Sequence, residues 1–282
     1  MYQQVIQEAI HAGTSIVQGD YRDLNGILFC GKCHTRKEVD ILFPNGIIRC
    51  PTPCDCALKA DQERETQLKE QQRLWRVEEL KRSGITDSEY WNWTFKLNDN
   101  PQSQASMTCQ NYVDNWNQMK EDNIGLLFYG TVGTGKTFLA CCVANALLEK
   151  GVSVMVTNFP KLITKMQSGY DEDRNELINS LQRYDLLVID DLGTERTSSF
   201  ALEQMYNIID ARYRSGKPLF ITTNLSPSEL KSPSDINHKR IYDRVLEMCC
   251  YPIKMAADSK RGMIAKNKRD RASVLLTPFT GE

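Results

Sequence analysis

An eight-residue glycine-rich loop constrains this chain more than any other feature. Residues 130–137 read GTVGTGKT, a complete match to the phosphate-binding pattern G-x-x-x-x-G-K-[ST]. An apolar run of buried-strand type (124–129) precedes the loop, and a helix-forming segment (138–148) follows it. Glycines let the loop turn its N–H groups around a phosphate, and the helix N-terminus adds partial positive charge. The predicted nucleotide-binding residues are Gly130, Thr131, Val132, Gly133, Thr134, Gly135, Lys136 and Thr137.

Two carboxylates later in the chain indicate that a bound nucleotide is also hydrolysed. The apolar strand candidate 186–189 ends in Asp190 and Asp191. We expect Lys136 to reach the β- and γ-phosphates of ATP, and Thr137 and Asp190 to ligate Mg²⁺. Asp191 is then placed to orient and polarise the attacking water. Many related ATPases carry glutamate where Asp191 stands, so slow hydrolysis, or help from Glu195, stays open.

Further polar groups follow the next strand candidate. Asn224 ends the run 218–224, where an amide can hydrogen-bond the γ-phosphate or the attacking water. The basic helix 238–246 offers an arginine that could reach a nucleotide bound by a neighbouring subunit. The segment 258–261 offers a cation to the same phosphate within its own subunit. Charge alone does not choose among these basic residues.

Composition limits the class of protein. The chain has 282 residues, 41% hydrophobic and 25% charged, with a net charge of −1. This excludes a globally basic nucleic-acid binder, although not a local basic patch. No apolar run approaches a membrane span, and the N-terminus lacks the features of a signal peptide. We therefore expect a cytoplasmic protein with no membrane partner.

Alternating apolar strands and amphipathic helices predict an α/β fold with a central parallel sheet flanked by helices. The helix-like segment 61–82 is dense in charge and glutamine, and 98–106 is predicted to be a loop before a helix over 109–120. The strand candidates are 125–129, 152–156, 186–189, 219–222 and 251–255, and the helix candidates between them are 136–150, 159–168, 174–183, 198–214 and 235–248.

Five of the ten cysteines lie close together near the N-terminus, at positions 30, 33, 50, 54 and 56. Cys30 and Cys33 form a C-x-x-C pair on a glycine turn, which suits two thiolates on one tetrahedral ion. The second pair is ambiguous, because Cys50 and Cys54 have the usual C-x(2–4)-C spacing while Cys54-Asp55-Cys56 offers a C-x-C, and five candidates for four places leave one thiol spare. A structural Zn²⁺ is the predicted metal, since a segment near 60 residues needs a staple to fold alone. An iron–sulfur cluster is the alternative.

Taken together, the blocks GLLFYGTVGTGKTFLA, DLLVIDDLGTE, PLFITTN, IYDRV and DSKR resemble bacterial or phage replicative helicase loaders of the DnaC/DnaI type. These loaders are AAA+ ATPases, and the same module occurs in IstB transposition helpers. The resemblance implies Asn224 as sensor 1, Arg244 as arginine finger and Arg261 as sensor 2. Cys54-Asp55-Cys56 also resembles the C-x-C of phage and Firmicute loaders, which implies that Cys50 is the spare thiol. The family resemblance also implies self-association through the ATPase domain, contact with single-stranded DNA, and a DnaB-type replicative helicase as partner of the N-terminal domain.

The resulting domain prediction has four parts. Residues 1–60 form a zinc-binding, helicase-docking domain, 61–105 a helical linker, 106–265 the AAA+ ATPase domain and 266–282 a basic C-terminal tail. DNA contacts are less defined. Lys161, Lys165 and Tyr170 suit contact with a stacked single strand, but they are equally compatible with an ordinary exposed surface. The basic run 266–271 is typical of a solvated tail, with DNA contact as the alternative.

Three other functions remain open. A transposition helper would share the ATPase module and act with a transposase. A P-loop kinase acting on a small molecule fits less well, because the paired carboxylates and Asn224 suit attack by water and no acceptor-binding lid is visible. A zinc-dependent interaction protein that binds ATP but scarcely hydrolyses it is compatible with aspartate at position 191.

Overall fold

The computed structural model describes residues 15–44, 46–193, 198–233, 235–255, 266, 268–273 and 276. The chain divides into two compact units, Met1–Leu74 and Trp75–Glu282. We call the first the cysteine unit and the second the P-loop unit. No helix in the described part of the chain is long and apolar enough to cross a membrane.

The cysteine unit consists of two small antiparallel sheets and the first part of a long helix. Strand β1 (Tyr21–Arg22) pairs with β2 (Leu28–Phe29), and β3 (Glu38–Phe43) pairs with β4 (Gly46–Pro51). Gly46 starts β4 with a φ of 127°, a backbone conformation that glycine tolerates and other residues avoid. Helix α1 (Asp55–Gly84) is polar and exposed along nearly all its length, as its charge-rich sequence predicts.

The P-loop unit is built on a five-stranded sheet. Its strands are β5 (Leu126–Tyr129), β6 (Val154–Asn158), β7 (Leu186–Leu192), β8 (Leu219–Thr223) and β9 (Tyr251–Lys254). They run parallel in the order β6-β7-β8-β5-β9. Each central strand is a continuous apolar run because helices cover both faces of the sheet. The carboxyl ends of β5, β7 and β8 therefore meet at one edge.

Short 3-10 turns over Ser88–Asn92 and Phe95–Leu97 precede the helices that cover the sheet. These helices are α2 (Gln104–Asp114), α3 (Trp116–Glu121), α4 (Lys136–Glu149), α5 (Phe159–Gln167), α6 (Asp171–Arg183), α7 (Ser199–Ser215), α8 (Pro227–Lys231) and α9 (Ile236–Met248). The sequence predicts one helix over 109–120. The structure instead has two helices there, separated at Asn115, and Ser103 caps the first of them by accepting a bond from Ser106 N.

Two hydrophobic clusters fill the space between sheet and helices, one on each face. Phe159, Leu181 and Ile208 belong to the cluster on the side of α5, α6 and α7. Phe128 and Leu147 belong to the cluster on the side of α2 and α4. The predicted α/β class with a helix-flanked parallel sheet is confirmed.

Candidate nucleotide site and metal centre

The glycine-rich loop lies between β5 and α4, as its sequence predicts. Gly130 and Gly135 have φ values of 138° and 91°, which residues with a Cβ rarely adopt. A Cβ at Gly130 would also lie 2.4 Å from the Met255 carbonyl oxygen. Gly135 caps the N-terminus of α4, so the loop leads directly into the positive end of that helix. The local backbone therefore has the geometry that an anionic phosphate requires.

Lys136 connects the loop to the end of β8. The side chain is 5% exposed, and its Nζ donates to the carbonyl oxygens of Gly130 and Thr131, both at 2.9 Å. It also donates to Asn224 Oδ1 at 2.8 Å. Two predicted site residues that are 88 positions apart are thus in direct contact.

Thr137 and Asp190 form a second contact of the predicted site. Thr137 Oγ1 donates to Asp190 Oδ1 at 2.8 Å. A hydroxyl and a carboxylate oxygen side by side are hard donors of the kind that Mg²⁺ prefers. The pair therefore fits the predicted Mg²⁺, which would supply positive charge beside the phosphates when bound. Burial raises the pKa of Asp190, although hydrogen bonds from Thr222 and Thr137 act in the opposite direction.

Asp191 follows in a backbone conformation that is unusual for a residue with a side chain. Its φ is 56°, and the pairing of β7 with β8 changes register between Ile189 and Leu192. Asp191 lines the same cavity as Lys136 and Asn224. The two predicted catalytic carboxylates therefore lie at one site.

That cavity, of about 590 Å³, has a second wall that the motifs do not indicate. Trp93 stacks at an angle against Tyr90 and Phe138, with ring centres 4.5 and 5.8 Å away. Asn145, in α4, holds this wall in place because its Nδ2 donates to the carbonyl oxygens of Tyr90 and Trp93 at 2.8 and 2.9 Å. The only sequence signal was the aromatic run 90–95, within the segment predicted as linker. The wall residues are Glu89, Tyr90, Trp93, Leu97, Asp99 and Phe138.

Arg244 lies in α9 and is held by α7. Its Nη2 is 2.6 Å from Asp210 Oδ1, and its Cζ lies 4.7 and 5.7 Å from the ring centres of Tyr206 and Tyr213. The described residues that line the nucleotide cavity do not include Arg244. Its role as an arginine finger stays a prediction. Arg261 and Glu195 lie outside the described residues.

The residues predicted to touch DNA lie in and after α5. Lys161 Nζ is 2.5 Å from Asp87 Oδ2, so this cation has an intramolecular partner. Lys165 is exposed, and Tyr170 is 85% exposed. The structure therefore leaves Lys165 and Tyr170 accessible and ties Lys161 to the segment after α1.

The cysteine unit brings four thiols together. The Sγ atoms of Cys30, Cys33, Cys54 and Cys56 all lie within 4.8 Å of one another. Four sulfurs at this spacing fit a tetrahedral Zn²⁺ with metal–sulfur bonds of about 2.3 Å. Cys50 lies outside this cluster, in β4, where its Sγ donates to the Ile48 carbonyl oxygen at 3.9 Å.

The surroundings of the thiol cluster favour a bound cation. A side-chain hydrogen bond with Cys33, then burial, then repulsion between the two neighbouring thiolates raise the pKa of Cys56 to about 11. A metal ion removes that repulsion by binding all the thiolates. His34 does not face the cluster as a substitute ligand, since its Nδ1 is 3.3 Å from the Tyr21 hydroxyl.

A buried ion pair fixes the first cysteine turn. Asp20 Oδ1 accepts a hydrogen bond from Gly31 N at 3.0 Å, and Lys37 Nζ is 2.6 Å from Asp20 Oδ2. The hydrogen bond from Lys37 lowers the pKa of Asp20 to about 2. Gly31 has no room for a side chain, because a Cβ would lie 2.0 Å from the Gly19 carbonyl oxygen. The cysteine pair therefore depends on this glycine and this aspartate.

Comparison with known proteins gives relatives that match about half of the chain. The chain is 28% identical to the replicative helicase loader DnaI of Bacillus subtilis strain 168 over 148 residues, which are 49% of this chain and 47% of that protein. It is 31% identical to the replicative helicase loader DnaC of Escherichia coli strain K12 over 150 residues, or 51% and 58% of the two chains. The chain thus spans about half the length of the curated relatives it matches.

Solved structures agree with the fold. A crystal structure of DnaI superposes with a TM-score of 0.52 at 21% identity, covering 63% of this chain and 96% of that one. A primosome component from Streptococcus pyogenes serotype M3 gives 0.52 at 22% identity, covering 63% and 94%. At such identities the likeness shows a shared fold.

The resemblance to helicase loaders that the motifs indicate is confirmed by these relatives. The family model described as IstB-like ATP binding protein matches residues 58–268, which include the P-loop, both carboxylates, Asn224 and Arg244. This match spans most of the chain. The chain belongs to the family of IstB-like ATP-binding proteins.

Proposed function

We propose that this protein is an ATP-dependent loader that places a DnaB-type replicative helicase on single-stranded DNA. The observation that carries the proposal is the hydrogen-bonded group at the carboxyl edge of the sheet. There Lys136 contacts Asn224 at 2.8 Å, and Thr137 contacts Asp190 at 2.8 Å. The similarity to the loaders DnaI and DnaC supports the choice of helicase loading among the activities of ATP-binding proteins.

Hydrolysis at this edge assigns each residue one task. Lys136 leaves its present partners and holds the β- and γ-phosphates of ATP, and Thr137 with Asp190 would hold Mg²⁺. Asp191 orients a water that attacks the γ-phosphorus, so the bond to the β–γ bridging oxygen breaks and ADP and phosphate form. Asn224 contacts the γ-phosphate or that water. Because Asn224 gives up its contact with Lys136 to do so, its position reports which nucleotide is bound. The aromatic wall of Tyr90 and Trp93 receives the base.

A neighbouring subunit completes the site in this proposal. Arg244 leaves Asp210, with which it pairs at 2.6 Å, and stabilises charge on the γ-phosphate of the next subunit. Arg261 is assigned the corresponding role in its own subunit on the family resemblance alone. ATP binding then favours self-association, and hydrolysis reverses it, which gives a timed release of the helicase.

The cysteine unit is assigned to helicase docking. The structural Zn²⁺ is held by Cys30, Cys33, Cys54 and Cys56 and takes no part in catalysis, because four thiolates leave no open position. The domain limits 1–60, 61–105, 106–265 and 266–282 are part of the same proposal. Single-stranded DNA is assigned to Lys165 and Tyr170, with Lys161 contributing after release from Asp87.

The other functions receive less support. The transposition helper is not favoured, because the curated relatives reported above are helicase loaders. The kinase has no support from the described cavity, whose lining includes P-loop residues, Asp191, Asn224 and the aromatic segment. The ATPase rate distinguishes the loader from a protein that binds ATP but scarcely hydrolyses it.

One experiment tests the proposal. The full chain is mixed with the replicative helicase of its host or phage, with ATP or ADP, and the mass of the complex is measured. The ATPase rate is measured in parallel, with and without single-stranded DNA. We expect an ATP-dependent complex and hydrolysis that responds to DNA, with DNA affinity falling steeply as salt increases. Absence of a helicase complex with every nucleotide would overturn the proposed loading function. A DNA affinity that does not depend on salt would overturn the proposed DNA contact.

A further inference from the structure

The end of strand β8 carries a hydroxyl that bonds to both acidic residues of the nucleotide site, to the carboxylate of Asp190 and to the backbone N–H of Asp191. Thr222 Oγ1 donates to Asp190 Oδ1 at 2.6 Å and accepts from Asp191 N at 2.9 Å. A hydroxyl has one proton to donate, so the carboxylate receives it and the backbone N–H uses a lone pair. Thr222 is completely buried. No solvent can replace either bond, and loss of the hydroxyl would leave both partners short of a hydrogen bond.

These bonds coincide with the irregular part of β7. In a regular strand, successive side chains point to opposite faces, so Asp190 and Asp191 would face away from each other. Here the strand has three residues, 190–192, where β8 has two, 222–223, and Asp191 has a φ of 56°. This bulge turns Asp191 into the cavity whose lining includes Lys136 and Asn224. The presence of both carboxylates at one site therefore depends on the bulge.

Left-handed backbone conformations cost energy for residues other than glycine and persist only where the surroundings fix them. The hydrogen bond from Asp191 N to Thr222 Oγ1 is a contact from the neighbouring strand that holds Asp191 in this left-handed conformation. The same hydroxyl also orients the carboxylate that is paired with Thr137. One side chain thus sets the direction of one carboxylate and the backbone position of the other.

We propose that Thr222 is a positioning residue for ATP hydrolysis, which holds Asp190 in line with Thr137 and keeps Asp191 turned toward the nucleotide. This inference rests on the proposed hydrolysis and adds to it a residue outside the P-loop and the carboxylates. Thr222 acts through Asp190 and Asp191 and does not touch the nucleotide itself. Its removal should therefore impair turnover more than nucleotide binding.

The test compares three variants of the full chain. Thr222→Val removes the hydroxyl with little change of shape, and Thr222→Ser retains it. Thr157→Val is the matched control, because Thr157 is also buried and lies in β6 opposite Ile189, one residue before the carboxylates. The readouts are kcat and KM for ATP, affinity for a fluorescent ATP analogue with and without Mg²⁺, and amide-resolved hydrogen exchange of β7.

For Thr222→Val we expect kcat to fall at least about tenfold while KM changes less than about threefold. The Asp191 amide should exchange at least about tenfold faster, because its acceptor is gone. The gain in analogue affinity on adding Mg²⁺ should shrink, since Asp190 is no longer held beside Thr137. Thr222→Ser and Thr157→Val should stay within about threefold of the unmodified chain in kcat.

Unchanged kcat or unchanged Asp191 exchange in Thr222→Val would overturn the inference, and so would a Thr222→Ser protein as defective as Thr222→Val. If Thr222→Val does not fold, the serine variant decides, because only retention of kcat and of Asp191 protection agrees with a role for the hydroxyl. An unmodified chain that lacks ATPase activity would refute the proposed function. The exchange and Mg²⁺ readouts would in that case still test the positioning of the two carboxylates.

Discussion

The cysteine unit and the P-loop unit support their chemistry in opposite ways. Among the described residues of the cysteine unit, the buried apolar and cysteine side chains are only Leu28, Cys30 and Cys54. Two of these three belong to the thiol cluster. The P-loop unit instead has a hydrophobic cluster on each face of its sheet, and its polar site residues stand at the ends of strands already fixed by that core.

This difference teaches which residues decide folding and which decide function. In the cysteine unit two of the four proposed metal ligands are also the buried core, so on this proposal chemistry and folding cannot be separated. In the P-loop unit the site can be altered while the sheet stays intact. The expected effects run from the loss of a folded unit, through the loss of nucleotide binding and of turnover, to a small gain in stability, and each can break or sharpen this contrast.

Loss of one cluster thiol should have the largest effect. Structural Zn²⁺ sites supply about 10–16 kcal/mol of apparent binding energy, which here replaces a hydrophobic core. We expect Cys54→Ser, or a strong chelator, to unfold the cysteine unit and leave the thermal transition of the P-loop unit in place. Circular dichroism and metal analysis measure this. Cys50→Ser is the control and should keep one Zn²⁺ per chain, and equal metal loss in both variants would contradict the four-thiol assignment.

Lys136→Ala should abolish the nucleotide response without unfolding its unit. Lys136 contacts the loop carbonyls and Asn224, and none of the hydrophobic clusters includes it. We expect ATP affinity to fall at least about 100-fold, or about 2.7 kcal/mol. Calorimetric titration with ATP measures this. Lys165→Ala, on the exposed side of α5, should bind normally, and equal losses in the two variants would show a general electrostatic effect instead.

Arg244→Ala should leave ATP binding intact and depress hydrolysis. Arginine fingers contribute about 10³-fold or more to turnover, and Arg244 lies outside the cavity of its own subunit. Steady-state ATPase assays across protein concentrations measure the effect. Arg240→Ala, one turn earlier in α9, is the matched control. Unchanged turnover in Arg244→Ala would refute the role in a neighbouring subunit.

Asp190→Asn should have the smallest effect among these variants. It should stabilise the fold, whereas the loss of a cluster thiol should destabilise it. Burial raises the pKa of Asp190 above its ordinary value of 3.8, so the folded chain binds this proton more readily than the unfolded chain does. Stability is therefore lost as pH rises through the raised pKa, and the ionised group is a cost at neutral pH. Asparagine keeps the acceptor oxygen without the charge.

We expect the melting temperature of the nucleotide-free Asp190→Asn protein to rise by about 2–4 °C, the shift that about 1 kcal/mol produces in a unit of this size. The gain should vanish at acid pH, and stabilisation by Mg²⁺-ATP should be lost. Differential scanning calorimetry at two pH values measures both. A lower melting temperature at neutral pH would show that the charge of Asp190 stabilises the fold.

The sequence predicts the parts of the P-loop unit that are local. The glycine loop, Asp190 and Asn224 each stand in an ordered motif, and their meeting follows because parallel strands bring their carboxyl ends to one edge. The α/β class is predicted from the same periodicity. Spacing leaves the second thiol pair open and only the family resemblance disfavours Cys50, whereas the structure groups Cys54 and Cys56 with the first pair.

The rest depends on tertiary packing that spacing does not encode. Thr222 reads as an ordinary β-strand residue, because the bulge opposite it leaves no mark in the sequence. Tyr90 and Trp93 signal burial, but not which surface they cover. Tyr206 and Asp210 have the spacing of one helix face, although only the packing of α9 on α7 shows that Arg244 is what they hold.

The most direct measurement compares helicase binding by the full chain, Cys54→Ser and Lys136→Ala, using native mass spectrometry in ATP and in ADP. We expect the unmodified chain to bind the helicase in an ATP-dependent way and Lys136→Ala to bind it equally with either nucleotide. Cys54→Ser should bind ATP but no helicase. A Cys54→Ser protein that binds the helicase normally, or a Lys136→Ala protein that still responds to ATP, would contradict the division of docking and timing between the two units.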